Sequence, residues 1–449
     1  MEEATSHQAT QRAFMPKNSQ VNIGLLGLGV VGTAVAQVLL DPSGFLSERT
    51  GSPIFLRRIL VRDITKPRSL EIPSELLTAD PDAILADPEI DVVVEVMGGE
   101  HPAFENIEAA LRAGKHVVTA NKELMAKRGP ELLSLAVDSG VQLLFEASVG
   151  GGIPIVGPLR KDLQANEIEV VYGIINGTTN YILTRMGQEG ADFQDALAEA
   201  QAKGYAEPDP TADIEGIDAA FKLAILASLA FHTRVRATDV YREGVSKLKA
   251  RDFRYAEELG YAIKLLAIAK KGLDGVEARV HPTLIPKDVL LAKVDGVFNA
   301  VEVTGDLTGP VLFYGRGAGP QPTSSAVLAN VLEIARGLAS GDGSPAPPVV
   351  DRGFPVKPMS DLVTRYYLRI TATDSAGVLA KISHVLGDEN ISVASVIQKE
   401  TDPVEGTAEL VLTTHPSSEK AMQKALEELE RLDVVWEIGN LVRIEQMGD

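Results

Sequence analysis

Cysteine is absent from all 449 residues, which excludes disulfides, iron–sulfur clusters and thiolate zinc sites. The seven histidines are scattered without HExxH-like spacing, so any metal would have to be held by oxygen. Basic charge is short too: 43 Lys and Arg stand against 62 Asp and Glu, a formal charge of −19 with a pI near 4.9. Nucleic acid and anionic membrane both require basic patches, so a small molecule or another protein is the expected partner. No uninterrupted apolar run of about 18 residues occurs, and the first twenty residues lack the apolar segment of a secretory signal. The expectation is a cytoplasmic protein, with no nucleic-acid or membrane partner and a disordered tail over 1–20. What the chain has in quantity is apolar residues, 45%, ample for roughly two to four domains.

The apolar run from Val21 to Leu28 leads into Gly27-Leu28-Gly29-Val30-Val31-Gly32 and then TAVAQVLL, which carries helical apolar spacing. Strand, glycines and helix in that order are the context of a dinucleotide cradle. Gly27 allows the tight turn, Gly29 the approach of a pyrophosphate and Gly32 close helix packing. A tight turn in another doubly wound domain is the plainer alternative. A second strand over 54–61 ends in Arg62-Asp63, with Lys66 and Arg68 beyond. An acid at this place favours a free ribose 2′-hydroxyl and an arginine a 2′-phosphate, so Arg62 and Lys66 lean towards NADP(H) while Asp63 keeps NAD(H) open. A third strand over 91–97 ends at Gly98-Gly99, and a fourth over 116–119 delivers Ala120-Asn121-Lys122. Ligands of open α/β sheets bind at carboxyl strand ends, which places Lys122 where nicotinamide and substrate should meet, unless it is only a surface lysine. A strand over 141–145 runs into Glu146 and the triple glycine 150–152, a loop whose carbonyls could ring a hard cation.

The stretch from Gly204 to Lys222, GYAEPDPTADIEGIDAAFK, packs its acids into the approach to an apolar helix. Helical from Gly216 onwards, it sets Asp218 and Lys222 one turn apart at the head of a stripe continued by Ile225 and Leu229. The other faces are apolar as well, where a charged pair is expensive to desolvate. A structural ion pair is the bland reading of it. Strands are expected over 169–175, before the polar turn Asn176-Gly177-Thr178-Thr179-Asn180, and over 276–284 and 296–304. At 315–326 the glycine-rich GRGAGPQPTSSA precedes an apolar helix, read as a return to the nucleotide domain. A linker composition covers 341–360, and β-α-β-β-α-β follows in a ferredoxin-like unit.

Together GLGVVG, ANK at 120–122, EASVGGGIP, NGTTNYIL at 176–183, GYAEPDP at 204–210, the acids through Lys222 and the GxGAGxxPT pattern at 315–323 resemble homoserine dehydrogenase from about Val21 onwards. The last unit resembles an ACT domain, its Asp374 and Gly377 matching the DxxG turn. The resemblance implies an α/β chain in three parts. These are a Rossmann-type nucleotide-binding domain at 21–153 plus about 315–340, an α+β catalytic and dimerisation domain at 154–314, and a ferredoxin-like ACT domain at 361–449. It implies NAD(P)-dependent interconversion of aspartate 4-semialdehyde and homoserine, on the path to threonine and methionine, in a homodimer or homotetramer. With only about twenty residues before the first strand, the form without a fused aspartate kinase is expected.

By this resemblance Lys222 takes the substrate oxygen, and Lys122 serves proton transfer or binding at the nicotinamide edge. Asp218 orients Lys222, and Glu207 and Asp213 receive the substrate ammonium, with Gly204 and Tyr205 beside them. Gly27, Gly29, Val30, Val31, Gly32, Arg62, Lys66, Gly98, Lys122 and Gly319 are the cofactor candidates. A sodium ion is expected on main-chain oxygens of Val149, Gly151 and Ile153 with Glu146. Gly377 and Gln398 are the effector candidates, threonine being the expected effector. A dehydrogenase for another small carbonyl, and a non-catalytic redox and amino-acid sensor, are the competing readings.

Overall fold

The buried run Val21–Leu26 forms β1, and the glycines after it turn the chain straight into helix α1, Val30–Leu39. The computed structural model describes residues 20–41, 43–340 and 351–447; the expected tail, apart from Gln20, and the 341–350 half of the expected linker lie outside them. Strands β2 Ile54–Leu60, β3 Leu77–Thr78, β4 Val92–Glu95, β5 His116–Thr119 and β6 Leu143–Leu144 join β1 in the order β3-β2-β1-β4-β5-β6. Every pairing is parallel. Burial on both faces is why β1 and β4 read as unbroken apolar runs. Helices α2, Ala103–Arg112, and α3, Lys122–Asp138, follow β4 and β5. Among the described residues one compact unit gathers 20–121, 131–145 and 327–340, and a second gathers 122–130, 146–326 and 351–447.

The second unit is built on an eleven-stranded sheet. Its strands are β7 Ile168–Ile174, β8 Tyr241–Arg242, β9 Tyr261–Gly272, β10 Gly275–Pro286, β11 Phe298–Gly305, β12 Gly309–Arg316, β13 Val363–Thr373, β14 Val393–Asp402, β15 Thr407–Thr414, β16 Ser417–Ser418 and β17 Val435–Ile444. The main path runs β12-β11-β7-β9-β10-β17-β13-β15-β14, with β8 beside β10 and β16 beside β13. Helix α4, Gly177–Glu189, follows β7. A single turn α5, Thr211–Ile214, leads through Gly216 at φ 72° into α6, Ile217–Phe231. Glycine suits that left-handed junction because it has no Cβ to clash. Helix α7 is Ala250–Glu258, and α8, Pro320–Ser340, runs on from the second glycine-rich turn.

The C-terminal strands, with α9 Val378–Asp388 and α10 Glu419–Leu429, make the expected β-α-β-β-α-β module around its own core, Tyr366, Leu368, Ile382, Leu412 and Met422 among its members. Its sheet does not stand apart. Strand β17 pairs parallel with β10 through Thr283–Arg443 and Leu284–Ile444, so the module's sheet continues the central one. Strands β9 and β12 were not expected from sequence. The strand expected over 141–145 shrinks to two residues because the chain turns at Glu146–Ser148.

Candidate active site

In the first unit, loops after β1, β2 and β4 surround a cleft of about 750 Å³ lined by Gly27, Gly29, Thr33, Arg62, Asp63, Lys66, Arg68 and Gly98, among others. Gly27 has φ 102°, and a Cβ on Gly32 would lie 2.2 Å from the Gly27 carbonyl oxygen, so both glycines are sterically required. No atom lies within 4 Å of the place a Gly29 Cβ would take, and no side chain caps α1, leaving a helix N-terminus open to a phosphate. The cradle therefore fits a dinucleotide. Of the sequence candidates, Gly27, Gly29, Arg62, Lys66 and Gly98 line the cleft, and Gly32 packs beneath it. Val30 and Val31 open α1 without lining the cleft.

At the ribose end, Asp63 accepts from the backbone N–H and hydroxyl of Thr65 at 2.8 and 2.7 Å, and Arg68 donates to the carbonyls of Asp63 and Lys66. The acid and this arginine thus shape the loop itself. Sequence reasoning missed Glu95, fully buried at the end of β4. It accepts from Met97 N–H at 2.7 Å, Gly98 N–H at 3.2 Å and Thr119 Oγ1 at 2.5 Å, while burial pushes its pKa up. Asn121 Nδ2 donates to the Gly99 carbonyl at 2.6 Å. The signal for both was faint: one acid inside an apolar strand, and one amide before a lysine.

The second unit holds the charged cluster. Asp218, in the first turn of α6, accepts from Lys222 Nζ through Oδ2 at 2.7 Å and is ion-paired to Lys122 Nζ through Oδ1. Lys222 Nζ also donates to the Ile175 carbonyl at 2.8 Å. Asn176 Nδ2 donates to Asp213 Oδ1 at 2.7 Å and Asp218 Oδ2 at 2.9 Å. Burial opposes charge on Asp218, yet the two lysines hold its carboxyl far below the usual carboxylate range. Burial also opposes charge on Lys122, but Asp218, with Asp213 and Glu207 behind it, raises its pKa. For Lys222 burial wins and, with the Lys122 charge, lowers the pKa despite Asp218. The Lys222 side chain is 11% exposed and that of Lys122 44%.

Glu207 is exposed, with its carbonyl held by Gln201 Nε2 at 3.1 Å. Gly204 turns at φ 72°, and the Tyr205 carbonyl accepts from Thr178 Oγ1 at 2.6 Å. The Tyr205 ring meets Tyr181 edge-on, with centroids 5.1 Å apart. Thr178 and Asn176, neither assigned a role from sequence, tie the NGTT turn to the stretch 205–218.

One expectation changes here. Glu146 was placed among the cation ligands, but its carboxylate accepts from Ile155 N–H at 2.6 Å, Val156 N–H at 2.9 Å and Gly157 N–H at 2.6 Å, capping the short helix Val156–Arg160. An amide cluster competes directly with a metal for those oxygens. Gly319 and Lys122, also candidates for the cofactor, belong to the second unit, as does the turn 317–319. There a Cβ on Gly151 would lie 2.5 Å from the Gly317 carbonyl oxygen. Within the glycine loop the Gly150 carbonyl accepts from Ile153 N–H at 2.9 Å and the Glu146 carbonyl from Val149 N–H at 3.4 Å. The carbonyls of Val149, Gly151 and Ile153 are not the ones spent on that turn, and neutral oxygens of this kind fit a hard cation. In the C-terminal module, Gly377 turns at φ 89° ahead of α9, and Gln398 is exposed on β14.

A parallel sheet ordered 3-2-1-4-5-6, with its glycine cradle at the switch point between β1 and β4, is the nucleotide-binding architecture of NAD(P)-dependent oxidoreductases. Residues 27–146 match the homoserine dehydrogenase NAD-binding domain, residues 154–332 the homoserine dehydrogenase domain and residues 366–434 the ACT domain. The chain belongs to the homoserine dehydrogenase family. It is 46% identical over 437 residues to a homoserine dehydrogenase of Synechocystis, covering 94% of this chain and 99% of that one. The Bacillus subtilis enzyme is 39% identical, covering 95% and 99%. The crystal structure of a homoserine dehydrogenase from Thiobacillus denitrificans superposes with a TM-score of 0.89 at 46% identity, covering 96% and 99%. A hyperthermophilic archaeal homoserine dehydrogenase in complex with NADPH gives 0.60 at 27% identity, covering 74% and 99%. Among the described residues no helix is long and apolar enough to cross a membrane.

Proposed function

We propose that this chain interconverts L-aspartate 4-semialdehyde and L-homoserine with NADP(H), and that threonine inhibits it through the ACT domain. The observation that carries the chemistry is the Lys122–Asp218–Lys222 array, with one carboxylate holding two ammonium groups of opposite pKa shift. Environments that push two like groups apart divide their labour. Bound NADPH supplies the hydride. Lys222 spends two of its three N–H donors on Asp218 and Ile175, and the third meets the aldehyde oxygen, where negative charge develops. Its lowered pKa suits it to give that oxygen a proton, and to take one back when homoserine is oxidised. Lys122 stays charged and holds Asp218 in place. Asp213 and Glu207 receive the substrate ammonium.

Arg62 and Lys66 line the ribose end of the cleft while Asp63 is engaged by Thr65, which favours a 2′-phosphate over a free hydroxyl. The NADPH complex of the archaeal relative supports the same choice. Main-chain oxygens of Val149, Gly151 and Ile153 would hold a sodium ion, whose fixed charge would stiffen the glycine loop. Gly377 and Gln398 are assigned to the effector site, and a homodimer or homotetramer to the assembled state.

Steady-state rates with aspartate semialdehyde, taken with NADPH and with NADH and each with and without threonine, test substrate, cofactor and regulation together. Fast NADPH oxidation suppressed by threonine is expected. Equal rates with NADH overturn the cofactor choice, and rates indifferent to threonine overturn the regulation. Lys222→Ala is expected to lower kcat by about a thousandfold while the Kd for NADPH is retained; unchanged turnover would remove Lys222 from the reaction.

A further inference from the structure

Strand β7 delivers Ile175 and Asn176 to the charged cluster, and Asn176, a residue only 6% exposed, divides its side chain between two tasks. Its Oδ1 accepts from Thr179 N–H and Thr179 Oγ1, both at 2.9 Å, capping α4. Its Nδ2 gives one hydrogen to Asp213 on α5 and the other to Asp218 on α6. Two carboxylates brought together repel, and a neutral amide with two hydrogens can bind both at once. The residue before it receives Lys222 on its carbonyl.

We infer that Asn176 is the positioning residue that yokes the two ends of the substrate site: it fixes Asp218 beneath Lys222 at the reacting oxygen and Asp213 at the ammonium end, and so sets the spacing between them. The inference rests on the roles given to Lys222 and Asp213 above. A residue serving only as a helix cap would need the oxygen alone. A yoke needs both amide hydrogens as well.

Asn176→Asp separates these roles in the full-length enzyme, because aspartate caps a helix as well as asparagine does but brings no donor and adds charge. The groups that feel that charge are Asp213 on α5, Asp218 and Lys222 on α6, Lys122 on α3, and Glu207 on the loop before α5. Expected is a lowered Tm, since the new carboxylate faces Asp213 and Asp218, with kcat/KM for aspartate semialdehyde lowered about a hundredfold in the folded enzyme. The limb of the pH profile for homoserine oxidation that reports loss of the lysine proton moves about one unit higher, since added negative charge favours the ammonium. Asn176→Ser keeps a capping oxygen without added charge, and lowers kcat/KM about tenfold with no upward shift of that limb.

A folded Asn176→Asp enzyme with wild-type kcat/KM and an unmoved limb overturns the inference. If that variant does not fold, wild-type kcat/KM in Asn176→Ser overturns it equally. Lys222→Ala keeps the two readings distinct. Turnover that survives it removes the assignment on which the yoke depends, whereas turnover lost there and kept in Asn176→Asp removes the yoke alone.

Discussion

Asp218 puts one buried carboxylate between two ammonium groups, so Asp218→Asn leaves Lys122 and Lys222 facing each other with only the weaker fields of Asp213 and Glu207 to compensate. The like charges then favour neutral Lys222 still more strongly. The limb of the homoserine-oxidation profile that reports its deprotonation is expected to move to lower pH, with kcat down by about a hundredfold as the lysine loses its anchor; a pH–rate profile beside the wild type checks both. The pairing of Asp218 with Lys222 was legible in the sequence because four residues make a helical turn. That Lys122 joins the same carboxylate was not legible, because a strand–helix reading places it without naming its partner. Asn176 was not legible, since its partners lie 37 and 42 residues away and an asparagine before a helix is explained already by capping. Glu146 misled for the related reason that a carboxylate beside glycines serves amides as readily as cations.

Strand β9 shows where element-level reading failed. Residues Ile263 to Ala269 are buried without interruption, and a strand covered on both faces lacks the alternation that separates it from a buried helix. Lys264 inside it blurred the pattern further, although its ammonium is held by the Val294 carbonyl at 2.6 Å and Asp295 at 2.9 Å. Strands β1, β4 and β5 were legible because glycine or polar turns bound them. Nor could the sequence show how β13 meets α7, where Arg369 Nε donates to Asp252 Oδ1 at 2.7 Å, with Tyr367 Oη and Asn440 Nδ2 on the same carboxylate at 3.2 and 3.0 Å. Arg369 is 1% exposed and Asp252 fully buried. Breaking such a pair from one side leaves a buried charge, so Arg369→Met is expected to cost about 3–5 kcal/mol. Adding Asp252→Asn should recover part of that loss in denaturant titrations of the same enzyme.

Over the whole molecule, acid sensitivity is expected from two buried histidines, His116 in the parallel sheet of the first unit and His281 in β10 of the second, where burial and the charges of Arg443 and Arg279 hold the imidazole well below its usual range. His116 in β5 is buried, its Nδ1 accepting from Gln142 N–H at 3.1 Å, and burial lowers its pKa to about 4. An unfolded histidine takes up a proton below about 6.5 and the folded one only near the lower value, so stability falls as pH drops through that window. The contribution at stake is about 3 kcal/mol. His116→Gln should flatten the dependence of the denaturation midpoint on pH between about 6.5 and 4, and an unchanged slope would place the sensitivity elsewhere.

The largest departure from the sequence reading is the continuity of the sheet through β10 and β17. A composition break near 341–360 marks a change of module but carries no signal of the strand pairing that rejoins the two parts. That join bears on ancestry. An effector module acquired by recombination at such a break inherits not a blank docking face but a buried acid, Asp252, waiting for an arginine. An incoming module without an arginine at that place would leave Asp252 buried and unpaired, so the exchange of one module constrains a residue of the other.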